Sequence, residues 1–570
     1  MNRKIRRAVA FVLITSALAA TGCSNGAKEE TASDKQQTAS KEDEKTDKKD
    51  KEAAEEGNGV LTPTGTLPIV KEGEELTLSM FGPLRAGVKS YDAEENDFTA
   101  WLEQETGLTI DIQSVPLADK QAKLNVLMTS GNYPEVILDS FFSASEQLLY
   151  GQQGVLIPLN DLIDQHAPNL KKVFEEYPLV KQNMTSADGN IYSLPSLGLI
   201  YNMQTPHKMW VNKVWLDKLG LEPPTTTEEF KEMLIAFRDK DPNGNGIQDE
   251  IPLTGSMGGW NTDPNNFLIN SFTYYDKSRN KNMFIEEGEF KYSKAQDGWR
   301  EAMKYLNELY EENLLDPLTY SQSADQLKKV ANQPGENIVG VCGGGFLGSF
   351  INVADSDRWK EYISIAPLEG PDGTRYALTV PQWGEPVLNI TNKCENPEAV
   401  IRLFDMMFAE EAFVRNAIGI EGEDYEACQN GELNPLGEPA RYNLLTGTDK
   451  GNRAWNQLGP WYRSPEVDLW FSVNPDDSEH MLYPDTVEKY IPYKAPDEFL
   501  IPNLGFDETQ ARTVMDIELP LNTYTDQMTM SFILGEVDVD EAWDGYIQEL
   551  DNLGLQTFLD TYQEAYENRK

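Results

Sequence analysis

The stretch Glu75-Leu-Thr-Leu-Ser-Met-Phe81 alternates apolar and polar residues, as a half-buried β-strand does, and Gly82-Pro83 follows it as a break. The spacing of apolar residues then changes in a regular order. It predicts a helix over 96–105 that stops at Gly107, a strand over 108–115, a helix over 120–129 and a short buried strand over 136–139. Strands that alternate with helices in this way predict an α/β lobe with a largely parallel sheet.

The ends of these predicted strands are candidate ligand contacts. In open α/β sheets, ligands bind beyond the carboxyl ends of the strands. We therefore expect Phe81, Arg85 and Asp139 to lie near a binding site.

The length and net charge of the remaining residues limit the number of lobes and the class of partner. Residues 60–570 are too many for one hydrophobic core and suit two large lobes. The first 59 residues are neutral in sum, so residues 60–570 carry the whole net charge of −45, which argues against a nucleic-acid partner. Beyond Cys23 there are three cysteines, Cys342, Cys394 and Cys428, which do not indicate a disulfide framework. We expect all three cysteines to be small residues of the core. A disulfide between two of them remains an open alternative.

The N-terminus has the features of a bacterial lipoprotein. Basic residues precede an apolar run, 8–20, that is too short to span a membrane and suits a secretory signal peptide over 1–22. The run ends in Ala20-Thr-Gly-Cys23, which resembles a lipobox and predicts lipidation of Cys23; an ordinary signal with a chance cysteine is the alternative. Residues 23–70 are then predicted to be the lipidated cysteine and a charged, disordered tether.

A loop at 241–250 places oxygen-bearing side chains at alternate positions. In the spacing of an EF-hand-like loop, Gly246 makes the turn, but position twelve is Pro252 rather than glutamate. A solvated Asn-Gly turn without an ion is the alternative. The predicted ligands of a structural Ca²⁺ are Asp241, Asn243, Asn245, the carbonyl of Ile247, Asp249 and Glu250.

Several aromatic residues outside the periodic segments are candidates for a ligand wall. Binding pockets combine apolar walls with a few placed polar groups, and aromatic faces stack on the C–H faces of sugars. For any one aromatic residue, packing in the core is the alternative. The further candidates are Tyr201, Trp260, Asn261, Phe346, Trp383 and Trp461, whereas Trp210, Trp215 and Trp299 are expected in the core.

Signals of catalysis are weak. The three histidines, His166, His207 and His480, lack the spacing of a zinc site, and we find no nucleophile elbow, phosphate loop or dinucleotide fingerprint. We therefore expect no enzyme. A glycoside hydrolase with paired carboxylates, or a surface adhesion or sensor-partner protein, is the alternative.

Six segments together resemble a known family. The chain is similar to the family 1 extracellular solute-binding lipoproteins of ABC importers, in the long subgroup of LplA-like and alginate-oligosaccharide-binding proteins. The segments that carry the resemblance are 130–135, 154–164, 188–195, 210–250, 309–317 and 419–425.

The resemblance implies a two-lobe periplasmic-binding-protein-like fold of type II, with the lobes joined by a hinge of crossing segments. It implies a first lobe of 71–200 with 388–435, a second of 205–380 with 436–570, and crossovers at 197–205 and 378–386. In alginate-binding relatives the corresponding loop holds calcium.

The implied function is capture of a carbohydrate, an oligosaccharide above all, by a monomer that delivers it to ABC permease subunits. The lipid anchor would place the protein on the extracellular face of the cell membrane, and the long polar tether favours a Gram-positive cell.

Overall fold

A computed structural model describes residues 59–277, 281–354, 356–446, 451–474, 478–479 and 481–568. The predicted signal peptide, Cys23, most of the predicted tether and His480 lie outside these residues. None of the helices in the described part is both long and apolar enough to cross a bilayer.

Strands and helices alternate through most of the chain. The strands are β1 (Thr77–Leu84), β2 (Thr109–Pro116), β3 (Val136–Leu138), β4 (Leu194–Gly198), β5 (Lys208–Asn212), β6 (Ile251–Thr254), β7 (Met283–Glu286), β8 (Glu289–Tyr292), β9 (Val339–Gly344), β10 (Tyr362–Ile365), β11 (Glu385–Ile390), β12 (Tyr425–Ala427), β13 (Tyr442–Leu444) and β14 (Trp461–Arg463). The α-helices are α1 (Asp97–Thr106), α2 (Lys120–Ser130), α3 (Ala144–Gln152), α4 (Asn160–His166), α5 (Pro168–Glu176), α6 (Pro178–Met184), α7 (Tyr201–Gln204), α8 (Lys213–Leu219), α9 (Thr227–Asp239), α10 (Pro264–Ile269), α11 (Asp297–Glu311), α12 (Ala324–Ala331), α13 (Pro397–Asp405), α14 (Glu410–Phe413), α15 (Leu482–Asp485), α16 (Glu508–Ile533), α17 (Val539–Asn552) and α18 (Leu555–Glu567).

The first lobe is built on a six-stranded sheet in the order β14-β4-β11-β3-β1-β2. β1 pairs in parallel with β2 and β3, as predicted, whereas β11 runs antiparallel between β3 and β4. The α1 helix begins at the cap Asn96, whose side chain accepts from the N–H groups of Phe98 and Thr99. It ends at Gly107, which has the left-handed conformation (φ 70°) typical of a helix C-terminus.

The predicted break at Gly82-Pro83 is wrong, because β1 continues through both residues to Leu84. A Cβ at Gly82 would lie 3.0 Å from a methyl carbon of Leu458, so glycine there allows a close approach. Beyond Phe81 the strand pairs with β2 alone, and a proline is tolerated where one side of a strand is free.

The second lobe contains a four-stranded sheet in the order β10-β5-β9-β6. Thr226 caps α9 by accepting a hydrogen bond from the N–H of Glu229. The core packs α8, α9 and α11 against this sheet and against the C-terminal helices, and Trp215 and Trp299 are buried within it. The two helices α17 and α18 follow each other and are divided at Gly554.

The chain passes between the two sheets more than once. Residues 199–207 connect β4 of the first sheet to β5 of the second, and residues 366–384 connect β10 back to β11. The two crossings are hydrogen-bonded to each other, since the N–H of Val380 donates to the carbonyl of Gln204 at 2.8 Å. These segments overlap the crossovers at 197–205 and 378–386 that the resemblance implied.

Two predicted boundaries are corrected by the structure. The tether was expected to reach residue 70, but the apolar side chains of Leu61, Ile69 and Val70 are buried in the core of the first lobe. The folded part therefore begins before residue 70. The second lobe was expected to include all of 436–570, but β14 within that range pairs with β4 and so belongs to the first sheet.

Candidate ligand cleft and metal loop

The carboxyl edge of the first sheet carries an ion pair. Arg85 Nη2 lies 2.6 Å from Oδ2 of Asp139, whose side chain is fully buried, and the N–H of Gly459 donates to Oδ1 at 3.0 Å. Burial raises the pKa of Asp139, and the adjacent Arg85 guanidinium limits that rise. The sequence predicted both residues as ligand contacts, and the structure brings them together.

Two further residues complete this edge: Phe141, which follows the same strand as Asp139, and Lys120, which the sequence did not indicate as a ligand contact. Lys120 donates from Nζ to the carbonyl of Asp139 at 3.0 Å and lies 4.6 Å from the ring centroid of Phe141. Asp139 and Phe141 both have φ of 51°, a left-handed conformation that is costly for such residues and is often found at functional sites. For Phe141, the position just after the buried strand β3 was the available signal.

The second lobe presents an aromatic pair at the carboxyl end of β9. Trp260 is 48 % exposed, and its ring centroid lies 5.7 Å from that of Phe346. A Cβ at Gly345 would lie 2.2 Å from the Trp260 ring, so only glycine lets the indole lie there. Asn261, with φ of 55°, follows in the same loop. The structure therefore brings three predicted contacts, Trp260, Asn261 and Phe346, onto one surface.

Tyr201 and Trp461 lie at the first crossing. The ring of Tyr201 meets that of Tyr483 edge to face at 5.6 Å. A Cβ at Gly198 would lie 2.8 Å from the Trp461 ring, so the indole lies directly on the strand that leads into the crossing.

Two of the predicted ligand contacts, Phe81 and Trp383, pack against hydrophobic clusters. Phe81 is fully buried in a cluster with Leu124 and Ile137, so the prediction that its ring touches ligand is wrong. The reason is that the side chain points into the sheet's packing layer rather than beyond its edge. Trp383 lies in the second crossing and packs beside the buried aromatic cluster of Tyr274 and Phe499.

In the predicted metal loop, side-chain oxygens turn inward and bind the loop's own backbone. Asp241 accepts from the N–H groups of Gly244, Asn245 and Gly246 at 2.7–3.1 Å. The amide groups of Asn243 and Asn245 donate to Asp249 at 3.0 Å. Ile247 is exposed, and its carbonyl accepts from the N–H of Asp249. Within the described residues, no group of three or more His, Cys, Asp or Glu side chains is arranged to hold a metal.

Glu250 is the residue of this loop that favours a cation. Both carboxylate oxygens are buried and have no hydrogen-bond partner. Burial raises the pKa of Glu250, the nearby backbone N–H groups of Glu250 and Asn243 oppose that rise, and Asp241 and Asp249 add to it by less. An unpaired buried carboxylate is costly, and a bound cation would remove that cost. The donor set therefore fits calcium.

The comparison with known families decides what kind of protein this is. A family model described as bacterial extracellular solute-binding protein matches residues 86–412, more than half of the chain. The chain belongs to the bacterial extracellular solute-binding protein family. Members of this family bind solutes, and the relatives below are binding proteins rather than enzymes, so the expectation of no enzyme is confirmed.

Two of the relatives are carbohydrate-binding proteins, and FusA among them is a substrate-binding protein of an ABC transporter. The fructooligosaccharide ABC transporter substrate-binding protein FusA of Streptococcus pneumoniae is 29% identical over 489 residues, which cover 84% of this chain and 87% of FusA. The polygalacturonan/rhamnogalacturonan-binding protein YtcQ of Bacillus subtilis is 21% identical over 82% of this chain and 88% of its own.

Solved structures of solute-binding proteins have the same fold as this chain. FusA in complex with kestose superposes with a TM-score of 0.72 at 25% identity, covering 86% of this chain and 99% of FusA. An EF-hand mutant of FusA with fructo-nystose has the same TM-score. The fold is the two-lobed type II solute-binding fold that the resemblance implied.

Proposed function

We propose that this protein captures a neutral oligosaccharide between its two lobes and delivers it, unchanged, to the permease of an ABC importer. The observation that carries the proposal is the contact of Trp260 with Phe346 at the edge of the second sheet, with Asn261 beside them. The absence of a side chain at Gly345 leaves room for the Trp260 ring there. Indole and phenyl faces take the C–H faces of sugar rings, and the amide takes hydroxyl groups. The sugars bound in the two FusA structures, kestose and fructo-nystose, support the ligand class.

The first lobe supplies the polar half of this proposed cleft. Arg85 is held by Asp139, and Lys120 is held by the Asp139 carbonyl, so both cations are fixed before ligand arrives. Their N–H groups can donate to sugar hydroxyls, while the half-exposed ring of Phe141 offers a stacking face. A ligand that contacts both lobes stabilises the closed state by these additional contacts, and the crossings act as the hinge.

The proposal includes the cell surface and a bound ion. Lipidation at Cys23 would hold the lobes at the extracellular face of the membrane, which the extracellular family supports. Calcium would bind through Asp241, Asn243, Asn245, Ile247, Asp249 and Glu250, where it would fasten the segment that follows α9. The buried Glu250 carboxylate and the EF-hand present in FusA support this ion.

Titration calorimetry with kestose and other neutral oligosaccharides tests the proposal. Trp260→Ala should weaken binding about 10- to 100-fold, which is the usual effect of removing a central aromatic contact. Trp260→Phe, which keeps a ring in the same place, should restore most of the loss. Equal affinities for wild type and Trp260→Ala, or recovery of the sugar in cleaved form, would contradict the proposal.

A further inference from the structure

The first lobe has a hollow on another part of its surface. It has a volume of about 470 Å³ and opens between α1, α14, the one-turn π-helix Val414–Ile418 and the β12–β13 hairpin. None of the residues assigned above to the ligand cleft lines it. The side chains that carry its chemistry are Trp101, Glu410, Glu411, Arg415, Tyr425 and Tyr442.

One wall of the hollow is the segment 419–425, which the resemblance singled out and the proposed cleft does not use. The side chain of Asp424 is fully buried and accepts from the N–H of Ile420 at 2.8 Å and from Arg453. A Cβ at Gly419 would lie 2.1 Å from Oδ2 of Asp424, and Gly419 has φ of 112°. The segment is thus held in one conformation by the ion pair between the buried Asp424 and the partly exposed Arg453, which is the rigidity that a binding wall requires.

The aromatic rings of the hollow are also held in place. Trp101 stacks on Phe98 at 5.5 Å with 19° between the planes. Tyr425 and Tyr442 meet edge to face at 5.2 Å. All three of the lining rings are partly exposed, so each keeps surface for a ligand while its neighbour fixes its orientation.

The polar groups of the hollow are one cation and several acids. Arg415 donates from Nη2 to the carbonyl of Asp97 at 3.3 Å, whereas its Nη1 is buried and has no hydrogen-bond partner. Glu410 forms an ion pair with Arg441, and Glu411 is exposed at the rim. An unpartnered buried donor is unfavourable unless a ligand oxygen reaches it.

We propose that this hollow is a second carbohydrate site, which takes one ring of a neutral glycan independently of the cleft. The ring stacks on Trp101 and the tyrosines, and its hydroxyl groups accept from Arg415 Nη1 and donate to the rim carboxylates. The acidic rim opposes uronic acids and phosphates, since like charges repel at this distance. This site goes beyond the proposed transport function, because its lining shares no residue with the proposed cleft.

Calorimetry and saturation-transfer NMR on the full chain, carrying Cys23→Ser to keep it in solution, test the inference. The probes are kestose, maltotriose and the anionic trigalacturonate. For a neutral probe we expect a weak site in addition to the cleft. Trp101→Ala should abolish the weak site and change the cleft affinity less than twofold, Trp101→Phe should retain it, and Arg415→Gln should weaken it about 10-fold.

The outcomes separate this inference from the proposed function. Absence of a weak site for both neutral probes, or its persistence in Trp101→Ala, would overturn the second site. Trigalacturonate binding there as well as kestose would overturn the neutral assignment. Loss of the tight site alone in Trp260→Ala supports two independent sites, whereas loss of all binding in that variant would show that the hollow takes no sugar. A weak site without any tight one would leave the hollow in place and refute the cleft.

Discussion

Lys208 at the start of β5 is a lysine with no exposed surface, next to the first crossing. Its Nζ donates to the side chain of Asn202 at 2.6 Å and to the carbonyl of Thr205 at 3.0 Å, and lies 4.8 Å from the ring centroid of Tyr490. Burial lowers the pKa of Lys208 from 10.5 to about 7, and Asp485 opposes the shift. We expect Lys208→Met, which keeps the length and removes the charge, to stabilise the protein at mildly acidic pH.

The size of the stabilisation by Lys208→Met follows from the lowered pKa of Lys208. Holding the proton at pH 6 costs the folded state about 5 kcal/mol, at about 1.4 kcal/mol for each pKa unit. Two lost hydrogen bonds offset about 1–3 kcal/mol of the gain, so the net stabilisation at pH 6 is about 2–4 kcal/mol. Between pH 7 and 10.5 the unfolded chain holds the proton and the folded chain does not, so rising pH stabilises the wild type. The advantage of Lys208→Met should therefore fall by about 4 kcal/mol between pH 6 and pH 10.

Thermal and urea denaturation of both proteins at pH 6, 8 and 10 measure this difference. Lys213→Met is the matched control, because Lys213 is half exposed and pairs with the exposed Asp217 across one helix turn. Its effect should stay within about 0.5 kcal/mol at every pH. A difference between Lys208→Met and wild type that does not change with pH would refute the reasoning, since it would mean that the folded lysine has an ordinary pKa.

Three other predictions concern the loops and the edge of the first sheet. A chelator should lower the melting temperature of the wild type by several degrees and that of Glu250→Gln by much less, as measured by differential scanning fluorimetry; equal shifts would remove Glu250 from the ion's ligands. Gly419→Ala should cost about 2–4 kcal/mol in urea unfolding, because the added Cβ meets the Asp424 carboxylate, whereas Gly422→Ala, with open space around it, should cost only its backbone strain of about 1 kcal/mol. Arg85→Met should destabilise the protein by about 3–5 kcal/mol at pH 7, because it leaves the Asp139 carboxylate buried without its partner. The loss should shrink as the pH falls and that carboxyl takes up a proton, and a loss that is unchanged at pH 4 would count against this.

The parts of the fold that the sequence predicted are those governed by local rules. Asn96 and Gly107 bound α1 because a cap side chain and a left-handed glycine act within one turn of the helix. The errors have long-range causes. β1 runs through Pro83 only because β3 ends early beside it, and β14 joins the first sheet through a partner more than 260 residues away.

The same division holds for the binding sites. Trp260 and Asn261 could be selected because their glycine-rich loop interrupts the periodic pattern. Phe81 could not be excluded, since whether a ring at a strand end faces the core or the edge depends on residues elsewhere in the chain. The hollow beside Trp101 is formed by segments about 320 residues apart, and no spacing in the sequence indicates that they meet.

The insertion of β11 between β3 and β4 has a consequence for biogenesis. When the first two hundred residues have emerged from the ribosome, the group β3-β1-β2 and the single strand β4 are separated by a gap that residues 385–390 fill only later, and the outer strand β14 comes later still. The nascent polypeptide cannot finish its N-terminal half early, so it stays export-competent until synthesis is nearly complete. Truncated products would expose bare strand edges and are expected to aggregate or be degraded.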